Sequence, residues 1–286
     1  MTKNLNILKN LSFTKMQALG NDFIIINGTK QKINLSPQLI QRLADRHFGI
    51  GCDQILLLEP PKNPKADFYY RIFNADGKEV NQCGNGVRCV ALFVKDQGLT
   101  SKKKLRFETH CGIITTHILK DNIVRVNMGS PEQNPDKIPF ISKTKKTTYP
   151  LLVNSLKKKF NICALSFGNP HCILWTKMLE KLPVDKIGAL LSKHPRFPEE
   201  TNVGFTKVLD RQTILLRVFE RGVGETLACG SAACAAMVAS KLLDLVDNEV
   251  DVLMKGGKVT VQWQGKGTPV WLTGPAEFVF SGKVIS

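Results

Sequence analysis

Short apolar runs bounded by glycine, asparagine, aspartate or proline set the rhythm of this chain. Phe23-Ile24-Ile25-Ile26, Gln54-Ile55-Leu56-Leu57-Leu58 and Phe68-Tyr69-Tyr70-Arg71-Ile72-Phe73 have the length and bounds of strands. Ser36-Pro37-Gln38 opens a helix predicted to run to about His47. Ser36 is its N-cap, and proline follows where its missing N–H costs nothing. Residues 104–128 alternate and predict two or three more strands. The stretch from Gly129 to Thr148 has three prolines, four lysines and no periodicity, so a domain boundary is placed there. The expected division is an N-terminal half, residues 1–129, joined by a last strand at 275–286, and a C-terminal half, residues 130–274.

The second half repeats this grammar. Ile162 to Phe167, Phe205 to Leu209 and Ile214 to Phe219 read as strands, Val184 to Ser192 as a helix, and Cys229 to about Leu245 as another. Residues 251–286 are again strand-rich. The order of strand, helix, strands, helix, strands occurs twice, which predicts a mixed α/β fold of two similar halves.

Direct comparison of the halves supports a repeat. Phe73-Asn74-Ala75-Asp76-Gly77-Lys78-Glu79-Val80-Asn81-Gln82-Cys83-Gly84 aligns without a gap on Phe219-Glu220-Arg221-Gly222-Val223-Gly224-Glu225-Thr226-Leu227-Ala228-Cys229-Gly230, an offset of 146 (229 less 83). Phe, Glu, Cys and Gly coincide. Gly20-Asn21-Asp22-Phe23 aligns on Gly168-Asn169-Pro170-His171 at an offset of 148. Two matches in the same order point to homologous halves about a pseudo-twofold axis.

This symmetry carries chemistry. Each half has a Cys-Gly pair at the junction of a loop and a helix, and the symmetry places the two opposite each other across an interdomain cleft. A helix start offers free N–H groups and partial positive charge, which favour a thiolate and bind a carboxylate. Two such starts hold an α-amino acid with its Cα between two sulfurs. One thiolate removes the α-proton and the other thiol reprotonates the opposite face. Cys83 and Cys229 are therefore the candidate acid/base pair. Cys89, Cys163 and Cys234 read as buried small apolar residues, as do Cys52, Cys111 and Cys172.

Composition narrows the remaining classes. Eight cysteines in 286 residues, with no secretory leader expected from the first residues, fit reduced thiols better than a disulfide scaffold, and no C-x2-C pair suggests zinc. The net charge of +16 raises nucleic acid as a partner, but the lysines fall in scattered runs at 102–104, 143–146 and 157–159 without interleaved aromatics. They read as solvated loops and edges. No apolar run is long enough to span a bilayer, and a cytoplasmic protein is expected.

At this point the residues resemble the diaminopimelate epimerase family. The resemblance rests on Gly20-Asn21-Asp22-Phe23, Gly49-Ile50-Gly51-Cys52-Asp53-Gln54, Phe73-Asn74-Ala75-Asp76-Gly77, Cys83-Gly84-Asn85-Gly86-Val87-Arg88-Cys89, Gly168-Asn169-Pro170-His171, Asn202-Val203-Gly204-Phe205, Glu220-Arg221-Gly222-Val223-Gly224-Glu225-Thr226 and Ala228-Cys229-Gly230-Ser231, running from about Phe13 to Gly282. It implies two pseudo-symmetric domains, each a barrel-like sheet around a central helix. It implies interconversion of LL- and meso-diaminopimelate without pyridoxal phosphate or metal, by a homodimer. Carried over motif by motif, Cys83 and Cys229 exchange protons with Cα. Gly84, Asn85, Gly230 and Ser231 offer donors to the reacting carboxylate. Asn21, Asn74, Asn169, Asn202 and Arg221 hold the amino and carboxylate groups, the last three chiefly at the distal end. Gln54 lies at the site edge, and His171 and Glu220 tune the thiols, Glu220 also touching substrate. The chain departs from the family pattern at Met16-Gln17-Ala18, where Met-His-Gly is usual, and at Ser231-Ala232-Ala233-Cys234, where Thr-Gly-Ala-Cys is common.

Three alternatives remain open from sequence. A racemase of another amino acid, such as glutamate or proline, uses the same thiol chemistry. An isomerase of the phenazine-biosynthesis type lacks the cysteine pair. A nucleic-acid-binding protein would show strong salt-dependent duplex binding.

Overall fold

The computed structural model describes residues 10–30, 33–80 and 84–285. It divides into two compact units, Met1–Val126 with Gly274–Ser286, and Asn127–Thr273. The first contains β1 (Ser12–Ala18), β2 (Asn21–Asn27), α1 (Pro37–Ala44), β3 (Gln54–Glu59), β4 (Phe68–Asn74), β5 (Glu79–Val80), α2 (Gly84–Asp96), β6 (Lys104–Thr109), β7 (Gly112–Ile118) and β8 (Ile123–Asn127). The second contains β9 (Tyr149–Val153), β10 (Lys158–Ser166), β11 (Pro170–Trp175), α3 (Val184–Ser192), β12 (Asn202–Asp210), β13 (Thr213–Glu220), β14 (Gly224–Thr226), α4 (Gly230–Leu242), β15 (Glu249–Met254), β16 (Gly257–Gln262) and β17 (Trp271–Pro275). The chain then returns to the first unit as β18 (Glu277–Lys283).

The ladders of the two units match strand for strand. In the first, β2 runs parallel to β3, β3 antiparallel to β4, and β4 antiparallel to β5 and parallel to β6, with β6, β7 and β8 continuing antiparallel. In the second, β11 runs parallel to β12, β12 antiparallel to β13, and β13 antiparallel to β14 and parallel to β15, with β15, β16 and β17 following. A third antiparallel strand extends each opening hairpin on its first strand: β18 pairs with β1, opposite β2, and β9 pairs with β10, opposite β11.

Each sheet wraps one helix. Helix α2 buries every residue from Asn85 to Val94, and α4 buries Gly230 and everything from Ala232 to Ser240. A helix apolar on all sides needs protein on all sides. Strands β1, β2, β3 and β7 supply it for α2, and β10 to β13, β15 and β16 for α4. The alanines of α4 (Ala232, Ala233, Ala235, Ala236 and Ala239) let the surrounding sheet close tightly. Among the described residues, no helix is long and apolar enough to cross a membrane.

Several local expectations need correction. Helix α1 stops at Ala44, short of His47, because Asp45 turns its backbone to an extended conformation. The Asp45 carboxylate then accepts the N–H groups of His47 and Phe48, both at 2.7 Å. Helix α4 starts after Cys229 and stops at Leu242 instead of Leu245, with Asp244 left-handed at φ 54°. Cys111 is exposed in the turn between β6 and β7, so burial does not account for it. The stretch 129–148 is irregular apart from a single turn at Pro135–Lys137, but Ile138 and Phe140 from it sit in the core of the second unit beside Tyr149. The Arg196 guanidinium lies 4.3 Å over the Phe140 ring.

Candidate active site

The second unit builds a connected polar cluster around Cys229. Strand β13 ends at Glu220, whose carbonyl accepts the Val223 N–H at 3.1 Å, and β14 folds back beside it. Gly222 and Gly224 take φ of +75° and +111°, a backbone that glycine adopts without strain. Arg217 clamps this hairpin. Its Nε and Nη2 donate to the two Glu225 carboxylate oxygens at 2.7 and 2.9 Å, and its Nη1 donates to the Leu179 and Leu182 carbonyls at 2.8 and 3.0 Å.

The chain then reaches Cys229, the N-cap of α4, in an extended conformation with φ −136° and ψ 115°. Its carbonyl accepts the Ala233 N–H at 3.0 Å, so the helix begins at Gly230 and the sulfur lies by the open first turn. The thiol donates to Glu220 Oε2 at 3.1 Å. The other oxygen of that carboxylate accepts the Thr226 hydroxyl at 2.7 Å. On its other side the sulfur is 3.5 Å from Ser231 Oγ, to which Asn169 Nδ2 donates at 3.4 Å. The Asn169 carbonyl oxygen meets His171 Nε2 at 3.1 Å. That contact requires the hydrogen on Nε2 and leaves Nδ1 as a buried acceptor with no partner among the described residues.

The charges follow from this packing. Burial pushes the Cys229 thiol well up, and the neighbouring Glu220 carboxylate adds to the shift. The Ser231 hydroxyl and the Ala232 N–H pull the other way and do not prevail. In this half, burial and Glu220 therefore outweigh the helix start, and Cys229 rests as a thiol. Burial likewise brings His171 down to about 3, helped by the charge of Arg221, so its ring is neutral. Asn202 lies beside His171 on the adjacent parallel strand, and its Oδ1 accepts the Arg221 N–H at 2.9 Å. The Arg221 guanidinium is tied back to the Glu199 carbonyl at 2.6 Å.

The first unit holds its candidate residues differently. Gln54 and Asn74 face each other across β3 and β4, and Gln54 Nε2 donates to Asn74 Oδ1 at 2.8 Å. Asn85, in the first turn of α2, donates to Asn21 Oδ1 at 3.4 Å. Gly84 opens α2. Cys83 lies outside the described residues, so the geometry of the first thiol is not part of the site built here.

Sequence reasoning did not single out the groups that hold these side chains. Asn21 donates to Asp53 at 2.8 Å, and Arg46 bridges Asp53 and Asp22. Lys15 pairs with Asp22 from beneath at 2.7 Å. Burial opposes ionisation of Asp22, but the hydrogen bonds from Arg46, Lys15 and the Asp53 N–H prevail and bring it down to about 2. Asp22 and Asp53 lie inside motifs quoted above, yet their partners Arg46, Lys15 and Asn21 come from other segments; Thr226 shares a motif with its partner Glu220, and only the hairpin brings the two side chains together. Cys52, Cys89, Cys163, Cys172 and Cys234 are buried free thiols. Burial pushes Cys52 and Cys163 up to about 12, which suits inert core residues.

Comparison with known proteins bears on both fold and chemistry. The family model described as Diaminopimelate epimerase matches residues 13–133 and 163–279. Among solved structures, a hydroxyproline epimerase from Agrobacterium vitis superposes with a TM-score of 0.72 at 16% identity, covering 96% of this chain and 92% of that one. A phenazine biosynthesis protein of the PhzF family from Bacillus anthracis superposes with a TM-score of 0.68 at 17% identity, covering 97% and 100%. A methylitaconate-delta-isomerase superposes at 0.67 and 14% identity, covering 96% and 95%. At these identities the likeness establishes a shared two-domain α/β fold.

Proposed function

The chain belongs to the diaminopimelate epimerase family, and we propose that it interconverts LL- and meso-2,6-diaminopimelate by proton exchange between Cα and two cysteines, Cys83 and Cys229. One observation carries this reading: Cys229 caps a buried helix with its thiol hydrogen on Glu220, and the repeat assigns Cys83-Gly84 the same position before α2. A proton donor needs a thiol that is protonated at rest and has a nearby acceptor to exchange with, and Cys229 has both.

The step balances without any other reactant. The Cα–H bond breaks as its proton passes to the Cys83 thiolate, and a new Cα–H bond forms on the opposite face with the proton of the Cys229 thiol. The product state has Cys83 as thiol and Cys229 as thiolate, and exchange with solvent restores the resting state. In the reverse direction the two residues exchange roles. The Gly230 and Ser231 end of α4 and the Gly84 and Asn85 end of α2 receive the reacting carboxylate, since helix starts stabilise negative charge there and on the carbanion-like transition state. Asn169, Asn202 and Arg221 take the distal amino-acid head, where a bidentate cation meets the second carboxylate. Asn21, Asn74, Gln54 and Glu220 complete a polar lining. The family resemblance extends the proposal to a homodimer in the cytoplasm.

The test is α-proton exchange. Incubated with LL-diaminopimelate in deuterated water, fully reduced protein is expected to incorporate deuterium at Cα and form the meso isomer. Cys83→Ala and Cys229→Ala are each expected to abolish both while the circular dichroism spectrum stays unchanged. Absence of exchange in the reduced wild type overturns the proposal. Exchange with glutamate but not with diaminopimelate transfers the same chemistry to glutamate racemisation.

A further inference from the structure

The two hairpins that lead to the cysteine positions have one backbone and two different linings. In the first unit, β4 and β5 pair Ile72 with Val80 and Phe73 with Glu79. In the second, β13 and β14 pair Val218 with Thr226 and Phe219 with Glu225. Each is clamped by the same arginine–glutamate fork, Arg71 on Glu79 at 2.8 and 2.7 Å, and Arg217 on Glu225. In each, the last residue of the first strand closes the turn through its carbonyl, Asn74 to the Gly77 N–H at 2.9 Å and Glu220 to the Val223 N–H at 3.1 Å. The offset of 146 pairs Asn74 with Glu220 and Val80 with Thr226.

These two differences go together. Where the first position is an amide, Gln54 holds it from the neighbouring strand and the second position is apolar Val80. Where it is a carboxylate, the counterpart of Gln54 is the shorter Asn202, whose oxygen is taken by the Arg221 N–H. The second position then carries a hydroxyl, and that hydroxyl bonds the carboxylate at 2.7 Å. The carboxylate of a glutamate hangs on three rotatable bonds. A donor on one oxygen fixes the plane and aims the other oxygen, here at Cys229 Sγ 3.1 Å away.

We propose that Thr226 is a positioning residue for the acid/base step, its hydroxyl holding the Glu220 carboxylate against the Cys229 thiol. The inference rests on the assignment of Cys229 as an acid/base group. It goes further in giving the second unit a Thr226–Glu220–Cys229 relay that the first unit lacks. Among the described residues, the groups that bear most on the Cys229 thiol are Glu220, the Ser231 hydroxyl and the Ala232 N–H. Glu220 is the charged one, so loosening it lets the thiol ionise more readily.

The experiment follows the alkylation of Cys229 by iodoacetamide against pH, read by mass spectrometry of its peptide. Thr226→Val is expected to move the midpoint down by about one pH unit relative to wild type. Thr226→Ser, which keeps the hydroxyl, is expected to leave it in place. In a Glu220→Ala background, Thr226→Val is expected to produce no further shift. With substrate, Thr226→Val is expected to lower kcat roughly tenfold with KM within about twofold, because the bond lost is to a charged acceptor and acts on the step, not on binding. An unmoved midpoint, a Thr226→Ser variant that behaves like Thr226→Val, or an equal shift in the Glu220→Ala background overturns the proposal. Thr226→Ala carries the same expectations and serves if the valine variant does not fold. The alkylation readout needs no substrate, so a wild type that exchanges no α-proton removes the proposed function alone.

Discussion

The hairpin before α4 and the hairpin before α2 show what a duplicated scaffold keeps and what it changes. Both keep the ladder, the turn and the arginine–glutamate fork, because these fix where the chain enters the buried helix. They differ in the residues at matched positions: Glu220 and Thr226, bonded to each other beside Cys229, in one, and Asn74 and Val80 in the other. The opening hairpins differ as well, with His171 in the second unit at the position of Phe23 in the first. A two-base epimerase needs its thiols in opposite protonation states at the same moment. Identical halves would give both thiols the same proton affinity. Under the proposed two-cysteine mechanism, the carboxylate beside Cys229, which the repeat matches to the amide Asn74 in the other half, would supply that inequality.

The largest effect is expected from removing that inequality. Glu220→Gln keeps the shape and removes the charge, and it is expected to lower kcat for epimerisation about 100-fold, within the range for loss of an acid/base group. Asn74→Gln in the other half is expected to cost less than tenfold, since it keeps a neutral amide while disturbing the bond from Gln54. Steady-state kinetics of both variants tests the comparison. Equal losses would mean that the two positions do equivalent work.

The forks offer a second comparison, read by denaturant unfolding. Arg217 and Glu225 have side chains 17% and 13% exposed, while Arg71 and Glu79 are 32% and 25% exposed. Glu225 also takes Lys255 at 2.9 Å, and its N–H donates to Asp185. Glu225→Gln leaves the mostly buried Arg217 guanidinium facing a neutral amide and is expected to cost about 2 kcal/mol. Glu79→Gln in the wetter fork is expected to cost about 1 kcal/mol. A larger loss at Glu79 would show that the first hairpin depends on its fork more than its exposure suggests.

What the amino-acid order reveals of all this depends on the range of the interaction. The two-domain α/β class is legible because the repeat is read at offsets of 146 and 148 and the apolar runs are long enough to show their period. Strands β5 and β14, of two and three residues, are too short to show alternation. Strand β11 opens on Pro170, and proline usually argues against a strand. It is tolerated here as the first residue, where a ladder N–H can be spared. Strand β9 was concealed by the proline-rich stretch that precedes it. Around the site, Asn169, His171, Glu220, Cys229 and Ser231 belong to quoted motifs, and the fold joins them into one bonded chain. Thr226 and Asp53 belong to motifs as well, but what they hold is decided by a hairpin and a parallel strand pair, and no local pattern shows it. Which member of the pair rests as a thiol was not legible in the sequence for the same reason. A helix start is visible in the order of residues, whereas full burial against Glu220 appears only once the sheet has closed.

The smallest effect separates the halves by pH. His171 is fully buried and neutral, brought down to about 3 by burial and by Arg221, against an ordinary 6.5. Between those values the unfolded chain binds a proton at this residue and the folded protein does not. The contribution of His171 to stability is therefore whole above the ordinary value and is lost as pH falls through the window toward about 3. The loss is about 1 kcal/mol over the first pH unit below the ordinary value. Phe23, the counterpart in the first unit, has nothing to titrate. His171→Phe installs that residue in the second unit and is expected to remove this part of the acid sensitivity. Unfolding midpoints of wild type and variant are measured across the same pH range, and the wild type is expected to lose stability faster than the variant as the pH falls below the ordinary histidine value. Parallel curves would mean that His171 takes up a proton on Nδ1 while folded, and the neutral relay from Cys229 to His171 would then hold only at higher pH.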